Sequence, residues 1–479
     1  MSTLTALARA LAAEQQVAQR LTTVRHVHLS AHPLVIIPLA LAGEANAPLA
    51  AMVGTDRRTP RLLTVPEPRD RTHRFAFVAE LAAIILPYLE SETDPQLLVP
   101  NHAVTNFVRL LGRSTRLRRT TGEWAVPDQV PILGRWLTFF TERTEYPGSS
   151  LLLPMTGALT QHWATGQSPV EDENLAALVG WIAPPPGRTG PQAAARAENP
   201  VVTPPAGPAT DPTFDNEILA GHMSRIRTAS LTGDGRAYDR AKTALDADLA
   251  SQLVPTWALM WRALDLLRQL PEGTHVEDRW GTDLEAFGWH ANHIREGGPP
   301  QARRDSAIAA ARRLANLERV QDMVAAQRAF DDPLVMAEHR LAGQAFAGTV
   351  VAAEPDRLDT SGKRAKLRPH ITIATSDDPR TIDLGAELTS PARPKQEAHL
   401  ISVTPGWQVT LELSSGMGRK LTPEPGTVPA VGEQVCYATF RDSFQRPPEF
   451  PAPEETPWTH GGPPAPYVPT DDDAGEVWS

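Results

Sequence analysis

The chain has 479 residues, 41% apolar and 21% charged, with a net charge of −10 at neutral pH, the profile of a soluble globular protein of two to four domains. The acidic balance excludes a surface that coats nucleic acid or an anionic membrane as a whole, and leaves room for local basic patches. The single cysteine, Cys436, excludes an internal disulfide framework and any thiolate metal cluster. It sits in QVCYATF, where a small buried residue is the plain reading.

The basic residues are overwhelmingly arginine, the lysines being Lys242, Lys363, Lys366, Lys395 and Lys420. With abundant alanine this is the usage of a GC-rich bacterial genome, so arginine alone does not signal a site. The amino terminus lacks a basic start followed by an apolar core and a cleavage site. The longest apolar run, FVAELAAIILPYL, reads as too short and interrupted to span a bilayer. A cytoplasmic protein without membrane contact is the expectation.

Taken in chain order, residues 4–21 show apolar positions at helical spacing and predict an opening amphipathic helix. Three strand-like runs follow, LVIIPLALA (34–42), PLAAMVGT (48–55) and RLLTVPEP (61–68), separated by short turn chemistry. DRTHRFAFVAELAAIILPYLE predicts a helix capped by Asp70. Next come a strand at QLLVP, a helix at HAVTNFVRLLGR, a strand at SSLLLP and a helix at TGALTQHWA. Three strands, a helix, then strand, helix, strand, helix is an order that resembles the ribonuclease H-like fold, expected here over 1–180.

Residues 181–213 are rich in Pro, Ala and Gly and predict an extended linker. From 214 to 341 the pattern turns helical, in segments near 214–230, 235–252, 255–270, 278–295 and 301–329. Trp257, Trp261, Leu264 and Leu267 share helical spacing, and a self-contained bundle is expected. From 342 to 443 the period drops to two, with strands at AFAGTVVAA, PHITIAT, HLISVT, WQVTLEL and EQVCYATF. Five such strands predict a small OB-like or SH3-like barrel. The remaining 444–479, Pro-rich and acidic, predicts a disordered tail.

An active ribonuclease H-like enzyme holds two divalent metals, Mg²⁺ or Mn²⁺, on converging carboxylates. The first strand here carries none, so the domain is expected to be degenerate; the alternative, a metal-dependent 3′–5′ exonuclease, would use Glu44, Glu80 and Asp172. His26, His28 and His32 in VRHVHLSAHP, and His290 with His293, read more plainly as surface or half-buried histidines than as metal ligands. There is no GxSxG, HExxH, GxxxxGK[ST] or GxGxxG motif at a strand-to-helix junction, so common hydrolase, nucleotidase and dinucleotide chemistries are not expected, and neither is a cofactor.

Arg109, Arg113, Arg116, Arg118 and Arg119 cluster around the end of a predicted helix, followed by Trp124. The helix dipole accounts for one or two of them, and five make a phosphate-tracking patch. In the barrel, SGKRAKLRP supplies Lys363, Arg364, Lys366 and Arg368. The loop SSGMGRKLTPEPG supplies Arg419 and Lys420; with prolines after it instead of a helix, it reads as a turn at a barrel rim. The barrel as a whole is neutral, with 12 basic and 12 acidic residues from Arg340 to Asp442. The leading expectation is a non-catalytic accessory protein that binds nucleic acid or supports a nucleic-acid-processing enzyme alongside other subunits. The remaining alternative is an interaction scaffold with no nucleic-acid contact.

Overall fold

In the computed structural model the described residues are 2–44, 47–301 and 305–443, with 468 and 470; the predicted tail thus lies almost wholly outside them. A helix, α1 (Thr3–Gln15), opens the chain and is capped by Ser2. The strands β1 (Leu34–Ala40), β2 (Pro48–Gly54), β3 (Arg61–Thr64), β4 (Leu97–Val99) and β5 (Leu152–Pro154) form one sheet in the order β3-β2-β1-β4-β5. The first three pair antiparallel, while β4 and β5 run parallel to β1. Every residue of β1 is buried, as a strand covered on both faces requires.

One face of the sheet presents Leu34, Ile36, Ala51, Val53, Leu97 and Val99 to α2 (Arg71–Ser91), α3 (His102–Thr115) and α4 (Gln129–Arg143). Among the described residues α2 is the one helix long and apolar enough to cross a membrane, although its apolar run reads as too short from the sequence. Here Phe77, Val78, Leu81, Ala82, Ile85 and Leu89 are buried in the same core as the sheet.

The opposite face presents Val35, Ile37, Leu39, Leu49, Met52 and Leu98. It is covered by α5 (Met155–Thr160), α6 (Leu175–Ile182) and a helix from far downstream. After α7 (Gly190–Ala197) and α8 (Ala220–Thr232) comes α9 (Gly235–Arg268). It runs unbroken through Pro255, where the sequence predicted two segments. Leu253 and Trp257, flanking that proline, are buried against the sheet with Trp261 and Leu264, and such burial outweighs the cost of about 3 kcal/mol for an internal proline.

The expected bundle is therefore corrected. The region is helical, but its apolar stripe serves the sheet: α9 lies on one face, while α10 (Val276–Arg295) joins the core on the other through Trp280 and Phe287. Its Asp283, buried, accepts from Arg143 at 2.5 Å and from the Ser150 amide at 2.7 Å. The expected linker also contains structure, because α7 carries a capping box between Thr189 and Gln192 and packs with Trp181.

Helices α11 (Ala307–Asp331) and α12 (Pro333–Leu341) lead into the barrel. Its strands are β6 (Ala345–Glu354), β7 (His370–Thr375), β8 (Glu387–Ser390), β9 (Arg393–Thr404), β10 (Gln408–Leu413) and β11 (Gln434–Ala438). They close in the order β7-β10-β9-β8-β11-β6, all antiparallel. This corrects five strands to six. The one missed, β8 with sequence ELTS, is four residues long and has too little alternation to register. Cys436 lies near the α12 side with Ala438 and Met336, and burial pushes its thiol up to about 11.

At the corner between α11 and α12, Asp332 is fully buried. It caps α12 through the Leu334 amide at 2.9 Å and accepts from the amides of Thr23 at 2.6 Å and Val24 at 3.2 Å. Burial alone would raise its pKa; the His26 ring and these three amides outweigh burial and bring it down to about 2. Because the folded value lies below the unfolded one, the contribution is present above about pH 4 and fades as pH falls toward 2. Asp332→Ala is expected to cost about 3 kcal/mol, by stranding buried donors, and to flatten the acid limb of stability in that window. Urea titrations from neutral pH down to pH 2 check both effects.

Candidate polyanion-binding surface

In an open sheet of this kind the carboxyl ends of the parallel strands are the usual ligand crevice. Here residues 207–210 lie across them: the Ala40 amide donates to the Pro208 carbonyl at 2.6 Å, and the Thr210 amide donates back to Ala40 at 3.2 Å. Asn101, just beyond β4, donates to the Gly207 carbonyl at 3.3 Å. Gly207 has φ +85°, and a Cβ there would stand 2.7 Å from the Pro38 carbonyl oxygen, so only glycine fits this close approach.

The three carboxylates of the exonuclease alternative do not converge. Glu44 pairs with Arg69 at the surface. Glu80 is exposed on α2. Asp172 is buried and accepts from Thr165 at 2.5 Å, Gln167 at 3.0 Å and Arg9 at 3.1 Å, which ties α1 to the loop before α6. Among the described residues no three His, Cys, Asp or Glu side chains stand close enough to hold a metal. The early histidines also part company, since His28 stacks on Trp280 at 4.1 Å while His26 lies beside His162.

A polar pair that the sequence reading passed over does sit near the end of β4. His102, the first residue of α3, is 2.7 Å from Glu173, which also accepts from the His102 amide and from Thr156. The EDE run in the sequence held the signal, but the buried Asp172 and the half-exposed Glu173 differ only in side-chain direction.

The arginine cluster divides according to helical geometry. Arg109, Arg113 and Arg116 lie at i, i+4 and i+7, on one side of α3. Arg109 pairs with Glu145 at 2.8 Å. Arg113 and Arg116 line a cavity of about 680 Å³ with Arg135, Glu142 and His290, and Arg116 is buried with a contact to Gln301. Arg119 is exposed.

Arg118 turns the other way, into a second cavity of about 320 Å³ with Arg71, Arg74 and Phe75. Among the described residues no carboxylate lines it. The guanidiniums of Arg71 and Arg118 lie 4.8 Å and 5.5 Å from the Phe75 ring centroid. Arg71 also donates to the Trp124 carbonyl at 2.7 Å and stands 5.6 Å from its indole, which is 66% exposed. The pKa of Arg118 is lowered, by partial burial first and then by Arg71 and Arg74. Arg71 and Arg74 escaped the sequence reading, although DRTHR places them three apart in the first turn of α2. Cations there oppose the helix dipole, so they do not serve the helix.

In the barrel, Lys363, Arg364 and Lys366 are exposed, as are Arg419 and Lys420. The two loops adjoin, because the Leu413 amide donates to the Pro369 carbonyl and β7 pairs with β10. Arg368 is turned inward and donates to the Ser414 carbonyl at 2.5 Å. The 414–420 loop is a turn, with Gly416 and Gly418 both at positive φ and Met417 buried in the barrel core.

The chain matches no protein-family model, no curated protein and no solved structure.

Glu173 raises the pKa of His102 through their hydrogen bond, against the opposing effect of burial. The stabilisation this pair provides is therefore full below the ordinary histidine value and lost as pH rises through the folded one. Glu173→Gln is expected to return the His102 pKa toward that ordinary value, which imidazole NMR titration reads directly. An unchanged titration curve counts against the coupling.

Proposed function

We propose that this chain is a non-catalytic accessory protein, built on a degenerate ribonuclease H-like scaffold, that binds nucleic acid or a nucleic-acid-processing assembly. The sheet order β3-β2-β1-β4-β5, with β4 and β5 parallel to β1, supports the scaffold reading, since it is the ribonuclease H-like arrangement. The two divalent metals an active member needs do not fit the residues present: β1 offers no acid, Glu44, Glu80 and Asp172 stand apart, and residues 207–210 cover the crevice.

The observation that carries the nucleic-acid reading is the gathering of Arg71, Arg74 and Arg118 with Phe75 in one cavity, with the exposed indole of Trp124 beside Arg71, on a protein of net charge −10. Clustered guanidiniums next to an exposed indole have the composition that grips phosphates and stacks a base. The loops at Lys363 and Arg419 supply a second, more open set of cations.

Replacing Arg71, Arg74 and Arg118 together by alanine is expected to weaken binding of single strands at least tenfold. It should also reduce the slope of log affinity against log salt by roughly 0.7 for each lost phosphate contact. Fluorescence anisotropy at several salt concentrations measures both. The triple replacement of Lys363, Arg364 and Lys366 should have a smaller effect on both quantities. Equal affinity of wild type and both variants for DNA and RNA overturns the reading in favour of the scaffold. Strand cleavage in Mg²⁺ or Mn²⁺ that is lost with Asp172→Asn would restore the exonuclease.

A further inference from the structure

We infer that the cavity between α6, α7 and α9 binds an aliphatic amphiphile with an anionic head, an alkyl chain ending in a carboxylate or a phosphate monoester. The site lies on the other side of the sheet from Arg71 and Arg118 and is independent of the nucleic-acid reading. Its volume is about 620 Å³, within the range of small-molecule sites. The floor is aliphatic. Val179 belongs to the core under the sheet and Leu259 packs against that core, so both are held by the rigid part of the fold. Ala193, Ala197 and Ala258 add only methyl groups. Helices α6 and α7 meet at small residues, a Cβ on Gly180 standing 2.9 Å from the Ala193 Cβ, and no long side chain fills the hollow. Pro185, Pro186 and Pro255, each with a fixed φ, stiffen the lining. Among the described residues no aromatic side chain lines it, which separates it from a site that stacks bases.

The rim is cationic. Arg188 in the turn before α7, Arg196 in the last turn of α7 and Arg262 on α9 line the cavity from three separate elements. Among the described residues no carboxylate joins them. Arg262 is anchored, donating to the Ala183 carbonyl. Arg188 and Arg196 are exposed and make no side-chain hydrogen bond or ion pair among the described residues. The dipole of α7 accounts for a cation at Arg196, whereas Arg188 precedes the positive end of that helix and gains nothing from it. An apolar hollow alone accepts any greasy solute. Two uncommitted guanidiniums and an anchored third select one with an acidic head, whose oxygens a planar guanidinium meets through paired hydrogen bonds.

The test is isothermal titration calorimetry of the full chain with octanoate, octyl phosphate and octanol, each below the concentration at which it aggregates. At least one of the two acids is expected to bind roughly tenfold tighter than the alcohol, the gain that a charge-assisted pair supplies. The tighter acid identifies the head group. Arg188→Ala combined with Arg196→Ala should remove that preference, and the corresponding pair of lysine replacements should restore part of it. Both positions are exposed, so an unchanged Tm is expected for these variants. Ala258→Trp, which fills the hollow without altering charge, should weaken the preferred acid severalfold. Equal affinity for acid and alcohol, no binding of any of the three, a preference that survives the double alanine variant, or full acid affinity in Ala258→Trp overturns the inference.

Discussion

A sheet whose central strand is apolar at every position must be covered on both faces, and that need governs the layout of this chain. The residues up to 180 supply α2, α3 and α4 for one face but only the short α5 and α6 for the other. The deficit is met by α9, which lays Leu245, Leu249, Leu253, Trp257, Trp261 and Leu264 on the uncovered side. Each such side chain stabilises by about 2 kcal/mol when fully buried. The sheet and α9 are thus one cooperative unit, despite the long stretch of chain between them.

Polar interactions then fix how the parts meet. Asp332 gathers the amides of Thr23 and Val24 to the start of α12. Arg279, buried nearby, donates to Gln327 at 2.9 Å and to the His26 carbonyl at 3.1 Å. His275 lies between Asp331 at 2.7 Å and Asp442 at 3.1 Å, so the segment leaving the barrel returns to the helices. Buried groups of this kind contribute little net stability compared with apolar packing, but mispairing them is costly. They select one arrangement of sheet, helices and barrel.

Several arginines are absorbed in the fold: Arg109 by Glu145, Arg143 by Asp283, Arg340 by Asp377, and Arg357 and Arg368 by Glu412 or a carbonyl. Arg71, Arg74 and Arg118 are instead gathered around Phe75 in one cavity. Residues 207–210, meanwhile, occupy the crevice where a sheet of this order would hold its chemistry. The carboxyl end of the parallel strands is thus closed by the chain itself.

Much of the fold was legible in the sequence because it is written in local periods. The alternation in PHITIAT and WQVTLEL, the continuous apolar run of LVIIPLA and the Asp70 cap each depend on neighbouring residues alone. The sixth barrel strand was not legible, since ELTS carries almost no pattern and is a strand only because β9 and β11 lie beside it. Neither was the partner of the Trp257 stripe. Periodicity shows that a face must be buried but not against what, and a sheet two hundred residues earlier in the chain serves as well as another helix. The candidate site obeyed the same division. Five clustered arginines were visible, but helical geometry turned Arg109, Arg113 and Arg116 away from Arg118, and tertiary packing brought Arg71 and Arg74 to it. Which cations face one another is a matter of side-chain direction and helix placement, and long-range packing decides both.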